Sequence, residues 1–160
     1  MNPQFLAAMA ETASGIVLSV RKTTDREARR GLLSLLLTLC RGMQDVAPRN
    51  ASTRAQARAH KLGLGDLRVY NFYDGARFPG GRKASMMHWE HWKPAVDLRN
   101  EILALTSPTP SAVEGILKNA RICWILLEEA AFLRKLGHNT GRADPAESYK
   151  AAGIELAYPW

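Results

Sequence analysis

The sequence has little cysteine and no long apolar run, and these two shortages limit what the protein can be. Only two cysteines occur in 160 residues, Cys40 and Cys123. Each lies in an apolar segment, which favours buried, reduced thiols over a disulfide. The longest apolar run, around residues 32–40, is too short to span a bilayer. The N-terminus also lacks a basic region followed by an apolar core, so we expect a soluble, cytoplasmic protein without a signal peptide.

Complete catalytic and cofactor signatures are missing as well, together with internal repeats and low-complexity segments. Ser14-Gly15 and Gly80-Gly81 lie outside any nucleophile elbow or phosphate-binding loop. We therefore expect no cofactor. A length of 160 residues predicts a single domain, residues 1–160, with a core of useful size.

Positive charge is what the sequence has in excess, and it is distributed unevenly. The formal net charge is +7. Residues 1–83 hold 14 Lys/Arg against 6 Asp/Glu, whereas residues 84–160 hold 8 against 9. A basic half joined to a near-neutral half predicts a positive face that attracts an anionic partner.

The hydrophobic periodicity predicts mostly helices. Asn2-Pro3 is typical of a helix start, with an N-cap followed by proline at the first position. Thr24 and Glu27 form a capping-box pattern for a second helix, from about Asp25 to Asp45. Its centre is almost entirely leucine, which predicts the central core helix of the fold.

A smaller part of the pattern predicts β-structure. Residues 67–73 are rich in β-branched and aromatic types, and residues 85–92 are the expected return strand of a hairpin. Over residues 121–127 the pattern fits a strand or a helix. The predicted fold is thus α+β, a mainly α-helical single domain with one small antiparallel β-hairpin.

Two basic clusters are candidate contact surfaces. Ser52 or Thr53 is expected to cap a short helix that places Arg54, Arg58 and Lys61 on one face. That face is either solvated or a stripe of phosphate contacts. A loop rich in turn residues then carries a second group, which predicts a flexible basic loop with an aromatic tip. This second group consists of Arg77, Phe78, Arg82 and Lys83.

The densest chemical cluster is His-Trp-Glu-His-Trp-Lys-Pro, residues 88–94, and three hypotheses compete for it. The first is a metal site at His88 and His91, which share a face on a helix but point to opposite sides of a strand. The second hypothesis is structural or contact-forming. Trp89 and Trp92 would then anchor the segment against the core or a partner.

The third hypothesis is a nuclease site. Glu90-His91-Trp92-Lys93-Pro94 resembles the acidic-His-x-x-Pro segment that opens the site of HNH-type nucleases. The resemblance implies that His91 is the general base and that Glu90 or His88 is a ligand of a divalent metal. It also implies a role for later polar residues, which would be Asn119 and either His138 or Asn139.

The function we expect is non-enzymatic binding of nucleic acid or a nucleoprotein complex by the basic face, with no membrane contact. A small, basic, one-domain chain also suits an accessory protein of a mobile element, for example an inhibitor of a host nucleoprotein complex. An HNH-like nuclease that uses His91 and a divalent metal is the alternative.

Overall fold

The computed structural model describes all residues 1–160 and shows a mostly helical protein with one small sheet. Helical segments hold 59% of the residues, and three strands form a sheet in the order β1-β3-β2. The predicted helix-dominated α+β class is confirmed. The elements are α1 Pro3–Lys22, α2 Arg26–Gly42, β1 Arg49–Ala51, α3 Thr53–Lys61, α4 Gly81–Ser85, β2 Met87–His91, α5 Ala95–Ala104, α6 Pro110–Leu117, β3 Ile122–Leu126, α7 Leu127–Lys135 and α8 Pro145–Ala151.

The chain divides into two compact units, each built from two separate stretches of sequence. The first unit is Met1–Ala47 with Lys93–Ala120, and the second unit is Pro48–Trp92 with Arg121–Trp160. The first unit holds α1, α2, α5 and α6, and the second holds the sheet and the other helices. None of the helices combines the length and apolar character needed to cross a membrane.

In the first unit, α1 is the helix with the most extensive buried face. It begins as predicted, because the Asn2 side chain accepts hydrogen bonds from the backbone N–H groups of Gln4 and Phe5. It contacts α2, α5 and α6. Small residues such as Ala10 and Ala13 are fully buried along it, which allows the neighbouring helices to approach closely.

Helix α2 is amphipathic, so the prediction of a central core helix was wrong. The leucines of α2 point to all sides of the helix. Only Leu36, Leu39 and Cys40 are buried, whereas Leu35 is 54% exposed. The predicted capping residue also differs. Asp25, rather than Thr24, accepts the hydrogen bond from Ala28 N at 2.7 Å.

In the second unit, β3 is the central strand. It runs parallel to β1, with Ala51 opposite Trp124, and antiparallel to β2, with Trp89 opposite Trp124. The predicted hairpin between residues 67–73 and 85–92 does not form. Residues 67–69 make a 3₁₀ turn instead, and β2 pairs with β3. Strand β2 therefore lies at an edge of the sheet.

The two faces of this sheet carry different cores. Trp89 and Trp124 contact each other edge to face on one side, with ring centroids 4.8 Å apart. Cys123 and Ile125 lie on the other side and pack with Leu133 of α7 and residues of α8. Because side chains alternate along a strand, β3 contributes to both cores.

Candidate functional site

The predicted basic stripe lies on α3, but its three residues have different environments. Ser52 caps the helix, as expected. Arg54 forms an ion pair with Glu128. Arg58 is half-buried, and its Nε has no hydrogen-bond partner. Lys61 is exposed, so it is the member of the stripe best placed to meet a phosphate.

The basic loop folds more compactly than its sequence predicts. Phe78 is 3% exposed, and its ring lies 5.3 Å from the rings of both Tyr70 and Trp124. The predicted aromatic tip is therefore wrong. A 3₁₀ turn at Asp74–Arg77 and the short helix α4 at Gly81–Ser85 flank Phe78 and turn it inward, where burial of the ring stabilises the segment.

Arg82 is held in a defined position beside this core. Its guanidinium carbon lies 3.8 Å from the centroid of the Phe72 ring, a cation–π geometry. Its stem crosses Gly75 so closely that a Cβ there would lie 2.4 Å from Arg82 Cγ and Cδ. Lys83 is exposed, and Arg77 has 86% of its side chain exposed.

Side chains alternate along β2, and this alternation separates the residues of the His-Trp-Glu-His cluster. Met87 and Trp89 are buried at 2% and 6% exposure. His88 and Glu90 share the opposite face, where His88 Nε2 donates to Glu90 Oε2 at 3.1 Å. His91 is adjacent to Glu90 along the strand, so the two side chains leave on opposite faces.

Glu90 forms a buried ion pair with Arg142, a residue that sequence reasoning missed. Arg142 Nη2 donates to Glu90 Oε1 at 2.6 Å. The same guanidinium donates from Nη1 to the carbonyl oxygens of His91 and Trp92 and from Nε to that of His138. Arg142 is only 3% exposed, and its hydrogen bonds fix the end of the edge strand β2 to the segment that contains His138 and Arg142.

The surroundings of Glu90 lower the pKa of its carboxyl group. Burial alone raises this pKa, but the hydrogen bond from His88 and the charge and hydrogen bond of Arg142 outweigh burial. Glu90 is therefore a stable carboxylate at neutral pH. Its oxygens are already occupied by cationic or N–H partners.

Trp92 packs inside the second unit. Its ring lies 4.4 Å from Tyr149 and 5.3 Å from the C-terminal Trp160. Trp160 remains 42% exposed. Trp89 and Trp92 thus both contact the core of their own unit, as the structural hypothesis expects.

A cavity of about 230 Å³ opens at the start of β2 and gathers several predicted residues. Its cationic and imidazole side chains are Arg82, Lys83 and His88. Its apolar wall adds four residues, three of which, Phe72, Met87 and Leu127, were not singled out from the sequence. The apolar lining consists of Phe72, Met87, Trp89 and Leu127. No Asp or Glu lines it.

The structure brings His88 and Glu90 into contact, but it does not assemble a metal site from the residues of the two metal-dependent hypotheses. No group of three or more His, Cys, Asp or Glu side chains lies close enough to hold a metal ion. Glu90 is engaged by Arg142. The nuclease alternative stays a prediction.

Two important residues carried no usable sequence signal. Arg142 lies in a turn-rich stretch before Pro145, where an arginine looks solvated. Phe72 lay within the predicted strand, and only the folding of residues 67–85 places it beside Arg82. Both contacts are long-range or loop-dependent, so a local pattern does not reveal them.

The comparisons with known proteins give no relative: the chain matches no protein-family model, no curated protein and no solved structure.

Proposed function

We propose that this protein binds nucleic acid, free or within a nucleoprotein complex, without catalysing a reaction, and that residues 48–92 form the contact surface. We call residues 48–92 the basic segment. It holds eight Lys/Arg and three Asp/Glu, a net charge of +5 out of +7 for the whole chain. This concentration of positive charge in part of the second unit is the observation that carries the proposal.

The pairing of these cations strengthens the argument. Arg54, Arg68 and Arg77 are paired with carboxylates. Lys61 and Lys83 are exposed and form no ion pair within the chain. Unpaired surface cations are free to neutralise phosphates, and each neutralised phosphate releases condensed counterions.

The salt dependence of binding tests this proposal. For duplex DNA, the logarithm of the binding constant falls with the logarithm of salt concentration, with a slope of about −0.9 per neutralised phosphate. The double variant Lys61→Ala/Lys83→Ala should weaken binding. It should also make this slope shallower, by the contribution of up to about two neutralised phosphates. Fluorescence anisotropy of a labelled oligonucleotide at several salt concentrations measures it.

A matched control separates a local surface from overall charge. Lys118→Ala/Lys150→Ala removes the same charge, but these lysines pair with Glu114 and Glu147. The control should leave the slope nearly unchanged. An equal effect of both double variants would remove the basic segment from the contact surface. Oligonucleotide cleavage with magnesium or manganese, lost in His91→Ala, would overturn the non-enzymatic part of the proposal.

A further inference from the structure

The cavity at the start of β2 has walls of two chemical kinds. Phe72 and Leu127, both partly exposed, supply apolar surface, and Arg82 and Lys83 supply positive charge. A ligand that satisfies both needs a flat or compact apolar part joined to an anionic group. A nucleotide has this composition, since its base presents an aromatic face and its phosphate is charged.

Within the cationic wall, Arg82 is held in position by contacts within the chain. The Phe72 ring lies against the guanidinium of Arg82 at 3.8 Å, and Gly75 leaves room for the stem of Arg82. An arginine fixed in this way loses less side-chain freedom on binding than a free one. Guanidinium planes also serve as stacking surfaces for unpaired bases.

The electrostatics of the cavity favour an anion. Lys83 has no ion pair, and the lining contains no Asp or Glu. Glu90 and Glu128 each adjoin a lining residue in sequence. Glu90 is engaged by His88 and Arg142, Glu128 is engaged by Arg54, and neither carboxylate belongs to the lining. The positive side chains at the cavity are therefore not neutralised by an acidic neighbour in its wall.

The size of the cavity restricts the ligand further. A volume of about 230 Å³ is below the roughly 300–1,000 Å³ of pockets for drug-sized ligands. It suits one base or one small group. In a duplex the bases are stacked and paired, so a base enters a concave site only when it is single-stranded or extruded from the helix.

We infer that this cavity binds one unpaired nucleotide, with the base against the partly exposed Phe72 and Leu127 and the phosphate at Arg82 and Lys83. The inference rests on the proposed nucleic-acid binding and adds that the protein prefers single strands. The same chemistry is available from a free mononucleotide, and the experiment therefore includes one.

The first test uses the unmodified protein. A labelled single-stranded oligonucleotide and a hairpin duplex of equal length are compared by anisotropy. The single strand should bind about tenfold more tightly or better, as stacking of an exposed base adds to the phosphate contacts. AMP should compete with the strand, and inorganic phosphate should compete much less.

AMP should also shift the NMR signal of the Met87 methyl group, which lines the cavity, more than that of Met43 in the first unit.

The second test uses variants. Arg82→Met and Phe72→Leu should each lower single-strand affinity by about tenfold, whereas their effect on duplex affinity should be small. Arg134→Met is the control, because Arg134 is an exposed arginine of the second unit that lies outside the basic segment and does not line the cavity. Thermal unfolding of each variant confirms that it is folded.

The outcomes separate the inference from the proposed function. Equal affinity for single strand and duplex, with Arg82→Met and Arg134→Met equivalent and Met87 unshifted by AMP, would overturn the cavity site while nucleic-acid binding survives. Absence of binding to either oligonucleotide would overturn the proposed function. AMP binding that persists without oligonucleotide binding would make the site one for free nucleotides and refute the single-strand role.

Discussion

At the scale of single residues, Arg142 explains how a charged strand edge is kept in place. The carboxylate of Glu90 would be costly to bury alone. Arg142 compensates it and also satisfies backbone carbonyls at His91 and Trp92. The His-Trp-Glu-His cluster that dominates the sequence is, in part, a structural ion pair whose second member lies far along the chain.

Removal of the Arg142 guanidinium should therefore destabilise the protein strongly. Arg142→Met should lower the free energy of unfolding by about 3–5 kcal/mol at neutral pH, since Glu90 would remain buried and charged. Urea denaturation of the purified variant measures the change. Arg134→Met, at an exposed arginine with no ion pair, is the control and should change stability by less than about 0.5 kcal/mol.

The pH dependence of that difference identifies Glu90 as its source. The folded-state pKa of Glu90 is lowered, so its contribution is fully present above the unfolded value of about 4.3 and is lost as pH falls through the folded-state pKa. The gap between wild type and Arg142→Met should accordingly shrink in acid. A gap that is constant down to about pH 3 would assign the cost to the lost carbonyl contacts instead.

Individual aromatic residues show where residue-level prediction succeeds and fails. The anchoring role expected of Trp89 agrees with its burial. The exposed tip expected of Phe78 does not, because turn residues on both sides of an aromatic ring look the same whether the ring faces solvent or a core. Only the packing of Phe78 against Tyr70 and Trp124 decides between them, and that packing is not local in sequence.

At the scale of elements, α2 illustrates the difference between leucine content and leucine arrangement. Leucines at adjacent positions lie about 100° apart around a helix, so a continuous apolar run faces all directions. Neighbouring helices cover one side alone, and Leu35 and Leu36 therefore have opposite environments in the same turn. Content alone predicted burial, and the contacts of α2 with α1 and α5 determine which leucines are buried.

This contrast gives a paired prediction. Leu36→Ala should lower the free energy of unfolding by about 2–5 kcal/mol, because Leu36 is fully buried and its truncation leaves a cavity. Leu35→Ala, in the same helical turn, should cost less than about 1 kcal/mol. Chemical denaturation of the two variants checks this. Similar losses for both would mean that the exposed side of α2 is covered.

Strand pairing was the element-level feature that local patterns missed. The strand at residues 85–92 was expected and is present as β2, and the ambiguous segment at 121–127 contains β3. The assignment of the partner failed, since residues 67–73 have strand-like composition but fold as turns. Local propensity predicts that a segment can extend, whereas pairing depends on which distant strand buries the same face.

At the scale of the whole molecule, two compact units share one chain that passes between them three times. Each unit consists of two stretches separated in sequence. One stretch of each unit, 48–92 or 93–120, is connected at both of its ends to stretches of the other unit. If one unit unfolds, the ends of that stretch in the other unit are no longer held by folded chain, and their conformational freedom increases. The expectation from length that residues 1–160 form a single domain stays a prediction.

The reactivity of the two cysteines, one in each unit, can test whether the two units unfold together. Burial raises the pKa of the Cys40 thiol to about 12. Burial, followed by the charges of Glu129 and Glu90, also raises the pKa of Cys123. Neither thiol should react with an alkylating reagent in the native state, since a thiolate forms only when the site opens. Labelling rates, read for each peptide by mass spectrometry, therefore measure the opening of each unit.

If the chain is one cooperative domain, Leu36→Ala should speed the labelling of both cysteines by the same factor. The substitution lies in the first unit with Cys40, whereas Cys123 lies in the second. A destabilisation of about 2–5 kcal/mol corresponds to an increase of roughly 30-fold or more when labelling follows global unfolding. Each rate is normalised to that of the same cysteine in the denatured protein. Acceleration confined to Cys40 would show that the first unit opens independently and would contradict the single-domain prediction.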